Sequence, residues 1–319
     1  MHVTTVGDLA RTVLEGLDRL PPDVDLVAGI PRSGMLPASL IALHLNVPLT
    51  DVGALLEGRV HETGTTRRTE RSAPAARTPA HVLVVDDLAG SGGTMRDWRD
   101  RLDEVARTSR LTYLAVYADP AAVGSVDLHL ARSAPDTVFE WNVLHLRGAK
   151  HVAVELEGVL AAPLGPDDHL DATTLRAALD RTRPRIVPSH RIGRIITARS
   201  DRHRPATEAW LERHGIQHDG LVMRPDDVED VVGFKARALR DAPQALYIEP
   251  DPEVAAELAR RTGRAVWCPS AGTSVPIGPR GARRRARVRA RLHRRGRLVA
   301  LLRALLGCRT HRSSGGLVE

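Results

Sequence analysis

VLVVDDLAGSGGT, residues 82–94, decides how the chain is read. Four apolar residues, three of them β-branched, predict a strand buried on both faces. Two acids follow, Asp86 and Asp87, then the small-residue run Gly90-Ser91-Gly92-Gly93 and Thr94. A helix is expected from about 94 to 107. Glycines let backbone approach a ligand closely, and unpaired amides at a helix start favour an anion. Ser91 and Thr94 add hydroxyl donors. The acids suit sugar hydroxyls, or Mg²⁺ through water. A ligand with phosphate at one end and hydroxyls at the other matches these parts. It is not a Walker A loop, which places Gly-Lys before the last hydroxyl.

The same pattern of strand, two acids, three residues, Thr or Ser, Gly, any residue and Thr closely resembles the motif by which type I phosphoribosyltransferases hold 5-phosphoribosyl 1-pyrophosphate (PRPP). A second stretch, GIPRSG (29–34), lies where that family has its pyrophosphate loop. The resemblance implies that Arg32, Ser33 and Gly34 bind pyrophosphate, with Arg32 bidentate. It implies that Ser91, Gly92, Gly93 and Thr94 cradle the 5′-phosphate. Asp86 and Asp87 would hold the ribose hydroxyls, stabilise developing positive charge and carry Mg²⁺ through water. Residues 57–80 lack apolar periodicity, and loops this long are commonly functional or disordered. By the resemblance they are a lid, with Arg59, Arg67 and Arg68 reaching the leaving group. The acceptor, a small molecule, is unidentified. Phe139 and Trp141 in VFEWN either stack on a flat acceptor or belong to core or a domain interface.

Outward from this motif, Leu9, Val13, Leu14, Leu17 and Leu20 form one side of a predicted helix over 5–20, ended by Pro21 and Pro22. Strands are predicted at 25–30, 47–52, 81–85, 111–118 and 126–132, with a helix at 35–45. Alternating strands and helices imply an α/β domain with a mainly parallel sheet. After a weak join at RGAK (147–150), the alternation restarts. Strands are expected at 151–156, 194–197, 245–249 and 265–268, and helices at 204–214, 229–240 and 252–262. The fold class is therefore two α/β domains, over 1–147 and 151–278. No internal repeat is visible.

VELEGVL (154–160) places Glu155 and Glu157 at alternate strand positions, hence on one face. This second half resembles the haloacid dehalogenase-like phosphatases, a Rossmannoid fold, here with little or no cap. Their first motif is Asp-x-Asp-Gly after a strand, and Glu155 and Glu157 stand at those places. Thr197, Lys235, and Glu249 with Asp251 match the later motifs in order and spacing. Only two lysines, Lys150 and Lys235, accompany 44 arginines. An ammonium at position 235 is thus set apart, since arginine is a poor substitute for lysine at a compact phosphate site. Glutamate for aspartate moves each carboxylate by about 1 Å, a shift that costs about a hundredfold in positioned catalysis. The expectation is a phosphatase fold with weak or lost activity, which binds phosphate or braces the transferase.

The net charge of +7 is unevenly distributed. Residues 279–319 hold 13 arginines and one acid, a charge of +12, which leaves −5 on the other 278 residues. The basic, amphipathic tail suits an anionic membrane surface or nucleic-acid phosphates. An alternative function follows from it: a regulator that senses PRPP and binds nucleic acid. With no apolar run long enough to span a membrane, no signal-like start and two isolated cysteines, a cytoplasmic protein is expected. The sequence leaves the oligomeric state open, a homo-oligomer included.

Overall fold

The computed structural model describes residues 2–61, 78–134, 136–165 and 171–271. Arg67, Arg68 and the arginine-rich tail lie outside the described residues.

Five strands build the first sheet: β2 (Leu26–Gly29), β3 (Leu49–Asp51), β4 (His81–Ala89), β5 (Arg110–Ala118) and β6 (Leu128–Arg132). The short β1 (His2–Thr4) pairs apart from it with β7 (Thr137–Phe139). The sheet order is β3-β2-β4-β5-β6 and every pair is parallel. Helices cover both faces, and β4 shows why its apolar run is unbroken. Leu83 and Val85 meet Leu9 and Val13 of α1 (Val6–Glu15) and Ile41 of α2 (Met35–Leu45). Val82 and Val84 meet Met95 of α4 (Gly93–Arg101) on the opposite face. Each such side chain contributes about 1.5–3 kcal/mol through burial.

The N-terminal helix is shorter than its periodicity predicts. Thr5 and Asp8 form a reciprocal cap at its start, which satisfies two otherwise orphaned donors. The helix stops at Glu15, a 3₁₀ turn covers Leu17–Arg19, and Leu14 points to solvent. A stripe of five leucines and valines is thus wider than the face that α2 and the sheet can cover. The helix after the motif breaks at Leu102, and a one-turn α5 (Asp103–Ala106) follows. A one-turn α3 (Val52–Leu56), capped by Asp51, was not apparent from the pattern.

The second sheet comprises β8 (Val152–Val154), β9 (Arg194–Ser200), β10 (Leu221–Arg224), β11 (Leu246–Ile248) and β12 (Ala265–Trp267). Its order is β10-β9-β8-β11-β12, again all parallel. Helices α6 (Ala172–Arg181), α7 (Arg204–Arg213), α8 (Val231–Arg240) and α9 (Pro252–Thr262) flank it. Neither α6 nor β10 was anticipated, and β10 has only four residues. Val3, Val143 and Leu144 pack into the core of this second half, and Ser189 N–H donates to the Leu144 carbonyl at 3.2 Å. Among the described residues no helix is long and apolar enough to cross a membrane.

Candidate functional site

Strand order in the first sheet, read by position in the sheet's own chain order, is 2-1-3-4-5. In open parallel sheets a ligand crevice forms where the winding reverses, beyond the carboxyl ends of the strands. Here that point lies between β2 and β4, which pair through Gly29 and Val85. GIPRSG leaves β2 and the double-acid motif leaves β4, so the two sequence motifs meet in the crevice. Gly34 makes the meeting possible. A Cβ there would lie 2.5 Å from the Ile30 carbonyl oxygen and 2.6 Å from that of Val85. Only a bare backbone fits between those two oxygens.

β4 does not end before the acids, as its apolar run predicts, but continues through them to Ala89. Asp86 and Asp87 are therefore held by sheet backbone and are both buried. Asp87 is tied at both oxygens. Ser33 Oγ donates to one at 2.9 Å and the indole N–H of Trp141 to the other at 2.8 Å. Asp86 accepts the Asp87 amide at 2.9 Å, and among the described residues no ion pair reaches either acid. Burial and, secondly, the Asp87 charge push the Asp86 carboxyl up to about 8. Asp86 thus keeps its proton at neutral pH until a cation or a donor arrives.

The loop after the acids ends at Gly92, whose φ is +75° and where a Cβ would lie 2.6 Å from Ser125. Helix α4 starts next with no side-chain cap from Gly92, and amides at a helix start favour an anion. Ser91 Oγ accepts the Gly93 amide at 3.3 Å, and Arg96 holds the Ser91 carbonyl at 3.2 Å. Ser91, Thr94 and Arg32 are exposed at the rim. Arg59, the described arginine of the predicted lid, is exposed and pairs with Glu57. Phe139 is core, tilted against Tyr117 at 5.5 Å. Trp141 packs on Phe139 at 5.0 Å and reaches the acid pair through its N–H.

The second sheet has its own reversal, between β8 and β11. Glu155 follows β8 and Glu249 follows β11, and the sheet brings them together. Lys235 of α8 stands between them, with Nζ 2.5 Å from Glu155 and 2.7 Å from Glu249. All three are buried. Burial alone would lower the Lys235 ammonium, but the two carboxylates hold it above its ordinary value. Burial pushes the Glu249 carboxyl up. Glu157 does not share a strand face with Glu155, because β8 stops at Val154. It turns to Arg199, whose wholly buried guanidinium lies 2.8 Å away and also donates to Thr207 at 3.0 Å. Thr197 is buried and accepts the Arg199 amide at 3.2 Å. Asp251 departs from the expected acid cluster: it caps α9 by accepting the Glu253 and Val254 amides. Sequence reading missed Trp141's bond and Arg199 altogether. Each partner lies more than 40 residues away, and no spacing rule links them.

An α/β crevice with a buried acid pair, a glycine-lined helix start and an exposed arginine combines the parts that suit an anionic, hydroxyl-bearing ligand. A match to the phosphoribosyl transferase domain model over residues 3–141 takes the class further. The chain belongs to the phosphoribosyltransferase family and is a transferase enzyme. It is 30% identical over 122 residues to the xanthine-guanine phosphoribosyltransferase of Idiomarina loihiensis, covering 38% of this chain and 71% of that one. It is 31% identical over 123 residues to the corresponding protein of Chromohalobacter salexigens, covering 38% and 70%. Among solved structures it resembles the Helicobacter pylori xanthine-guanine-hypoxanthine phosphoribosyltransferase, with 16% identity, a TM-score of 0.34 and coverage of 44% and 93%.

Proposed function

We propose that the N-terminal half transfers the 5-phosphoribosyl group of PRPP to a purine base and releases pyrophosphate. The observation that carries this reading is the meeting of GIPRSG and the double-acid motif at the β2–β4 reversal. The purine class rests on the named relatives. The bond from the ribose C1 to a pyrophosphate oxygen breaks, and a bond from C1 to a ring nitrogen forms. The electron pair leaves with pyrophosphate, and the base gives up its N–H proton. Arg32 and the amides near Ser33 and Gly34 take pyrophosphate; Ser91 to Thr94 take the 5′-phosphate. Asp86 and Asp87 hold the ribose hydroxyls and oppose the positive charge that grows at C1. Mg²⁺ fits this site, because a buried Asp86 without a cationic partner gains from a cation. When bound, the metal neutralises charge on the pyrophosphate. Arg67 and Arg68 are assigned to the lid by position in the sequence.

The test is pyrophosphate release from PRPP and Mg²⁺ with xanthine, guanine, hypoxanthine or adenine. An Asp86→Asn/Asp87→Asn variant is the control. Base-dependent release by the parent alone is the expected result. No release with any of the four overturns the purine assignment.

Residues 151–278 act, in this reading, as a haloacid dehalogenase-like domain without phosphatase turnover. Support comes from the convergence of Glu155, Lys235 and Glu249 at a sheet reversal. The acids that would hold Mg²⁺ are already neutralised by Lys235 and Arg199. Phosphate release from a nucleoside monophosphate, absent in the parent and unchanged by Lys235→Arg, is expected. Release by the parent contradicts it.

A further inference from the structure

A cavity of about 260 Å³ lies on the second half between α6 and α7, apart from the Lys235 cluster. Its apolar lining comes from Leu179, Ala206, Ala209 and Trp210. Its rim is cationic, with Arg176, Arg202 and Arg213 against one acid, Asp180. That acid is already paired with Arg213 at 2.8 Å. Arg202 and His203 of the turn after β9, with Pro205, complete the lining.

We propose that this cavity binds a nucleoside monophosphate as a second ligand, distinct from the transferase crevice. Two features select that chemistry. An excess of arginine over acid at the rim selects a phosphate. A small apolar lining selects one group of nucleobase size. The volume lies just under the roughly 300 Å³ at which pockets for drug-sized ligands begin, which excludes a dinucleotide. The fold places the cavity at the carboxyl end of β9, one helix away from Arg199 and Glu157. Arg199 donates to Thr207 on α7, so an occupant pressing on α7 also presses on that ion pair. The assignment needs no turnover by either half.

Because a monophosphate also fits the transferase crevice, the experiment fills that crevice first. GMP is titrated calorimetrically into the full chain saturated with PRPP and Mg²⁺. Inorganic phosphate and guanosine are the comparison ligands. One remaining saturable site for GMP is expected, with both fragments at least tenfold weaker. Arg176→Glu reverses a rim charge on an exposed position, and Ala209→Trp fills the cavity from an exposed position. Each should weaken GMP at least tenfold and leave pyrophosphate release unchanged. No second site at millimolar GMP overturns the proposal. So does a second site that neither substitution moves, or phosphate alone binding as tightly as GMP.

Discussion

Asp86→Asn should stabilise the protein while it abolishes transfer. Asp86 is buried beside Asp87, and its carboxyl is raised to about 8 from an ordinary 3.8. The sign follows from where the proton sits. Below about pH 4 the group is protonated in both folded and unfolded chains, and ionisation carries no penalty. Between pH 4 and 8 the unfolded chain loses the proton and the folded chain keeps it, so stability falls as pH rises. Above 8 the penalty is constant. One pKa unit corresponds to about 1.4 kcal/mol, which sets a ceiling of about 4 kcal/mol at pH 7 and less than about 1 kcal/mol at pH 4. The amide substitute makes a weaker set of hydrogen bonds, so the expected gain at pH 7 is on the order of 1–3 kcal/mol. Asparagine retains the acceptor for the Asp87 amide. Urea unfolding at pH 4.5, 7 and 8.5, followed by circular dichroism, measures the difference. The variant's midpoint should exceed the parent's at pH 7 and 8.5 and approach it at pH 4.5. A variant less stable than the parent at pH 7 and 8.5, or an offset independent of pH, refutes the reasoning. The pairing of lost activity with gained stability is the usual signature of a site strained for function.

Trp141→Phe keeps the packing on Phe139 but removes the N–H that holds Asp87. A hydrogen bond to a charged group is worth about 1.5–3 kcal/mol, so kcat/KM for pyrophosphate release should fall roughly 10- to 100-fold with an unchanged circular dichroism spectrum. Gly34→Ala drives a Cβ against two backbone oxygens that cannot move aside. Overpacking of that kind costs about 1–3 kcal/mol, and calorimetric binding of PRPP should be lost. Lys235→Met leaves Glu155 and Glu249 buried without their cation, and breaking a buried pair this way costs about 3–5 kcal/mol. The parent's pairing is complete at neutral pH, because the raised Lys235 loses its proton only above its ordinary value. The variant's deficit in thermal unfolding should therefore be large at pH 8 and shrink at pH 5, as the raised Glu249 carboxyl takes up a proton.

The regular elements were legible where an apolar or periodic run was long. Helices α2 and α9 occupy the predicted 35–45 and 252–262, and β5 covers the predicted 111–118 with one residue added. Short elements were not: β10 has four residues, and its apolar pattern is too brief to separate from a loop. Leu14 shares a predicted helix side with the buried Leu9 and Val13, yet it faces water. Helical periodicity says which residues share a face, and only the packing surface says how wide that face is. Asp251 illustrates the same gap in the second half, where an acid after a strand proved to be a helix cap.

What the sequence determined by itself is local chemistry. Glycines at 34 and 92 admit a close approach and a positive φ, an apolar run forces β4 to be buried on both faces, and two acids follow it. These are properties of a few consecutive residues and survive any arrangement of the remainder. The tertiary structure decided what those residues meet. Placing β2 beside β4 puts Ser33 against Asp87, 54 positions away, and the turn after β7 delivers Trp141 to the other oxygen of the same carboxylate. The early stop of β8 separates Glu155 from Glu157 and sends one to Lys235 and the other to Arg199. Strand order and strand length are set by the competition among all the buried faces at once, so no single stretch of chain encodes them.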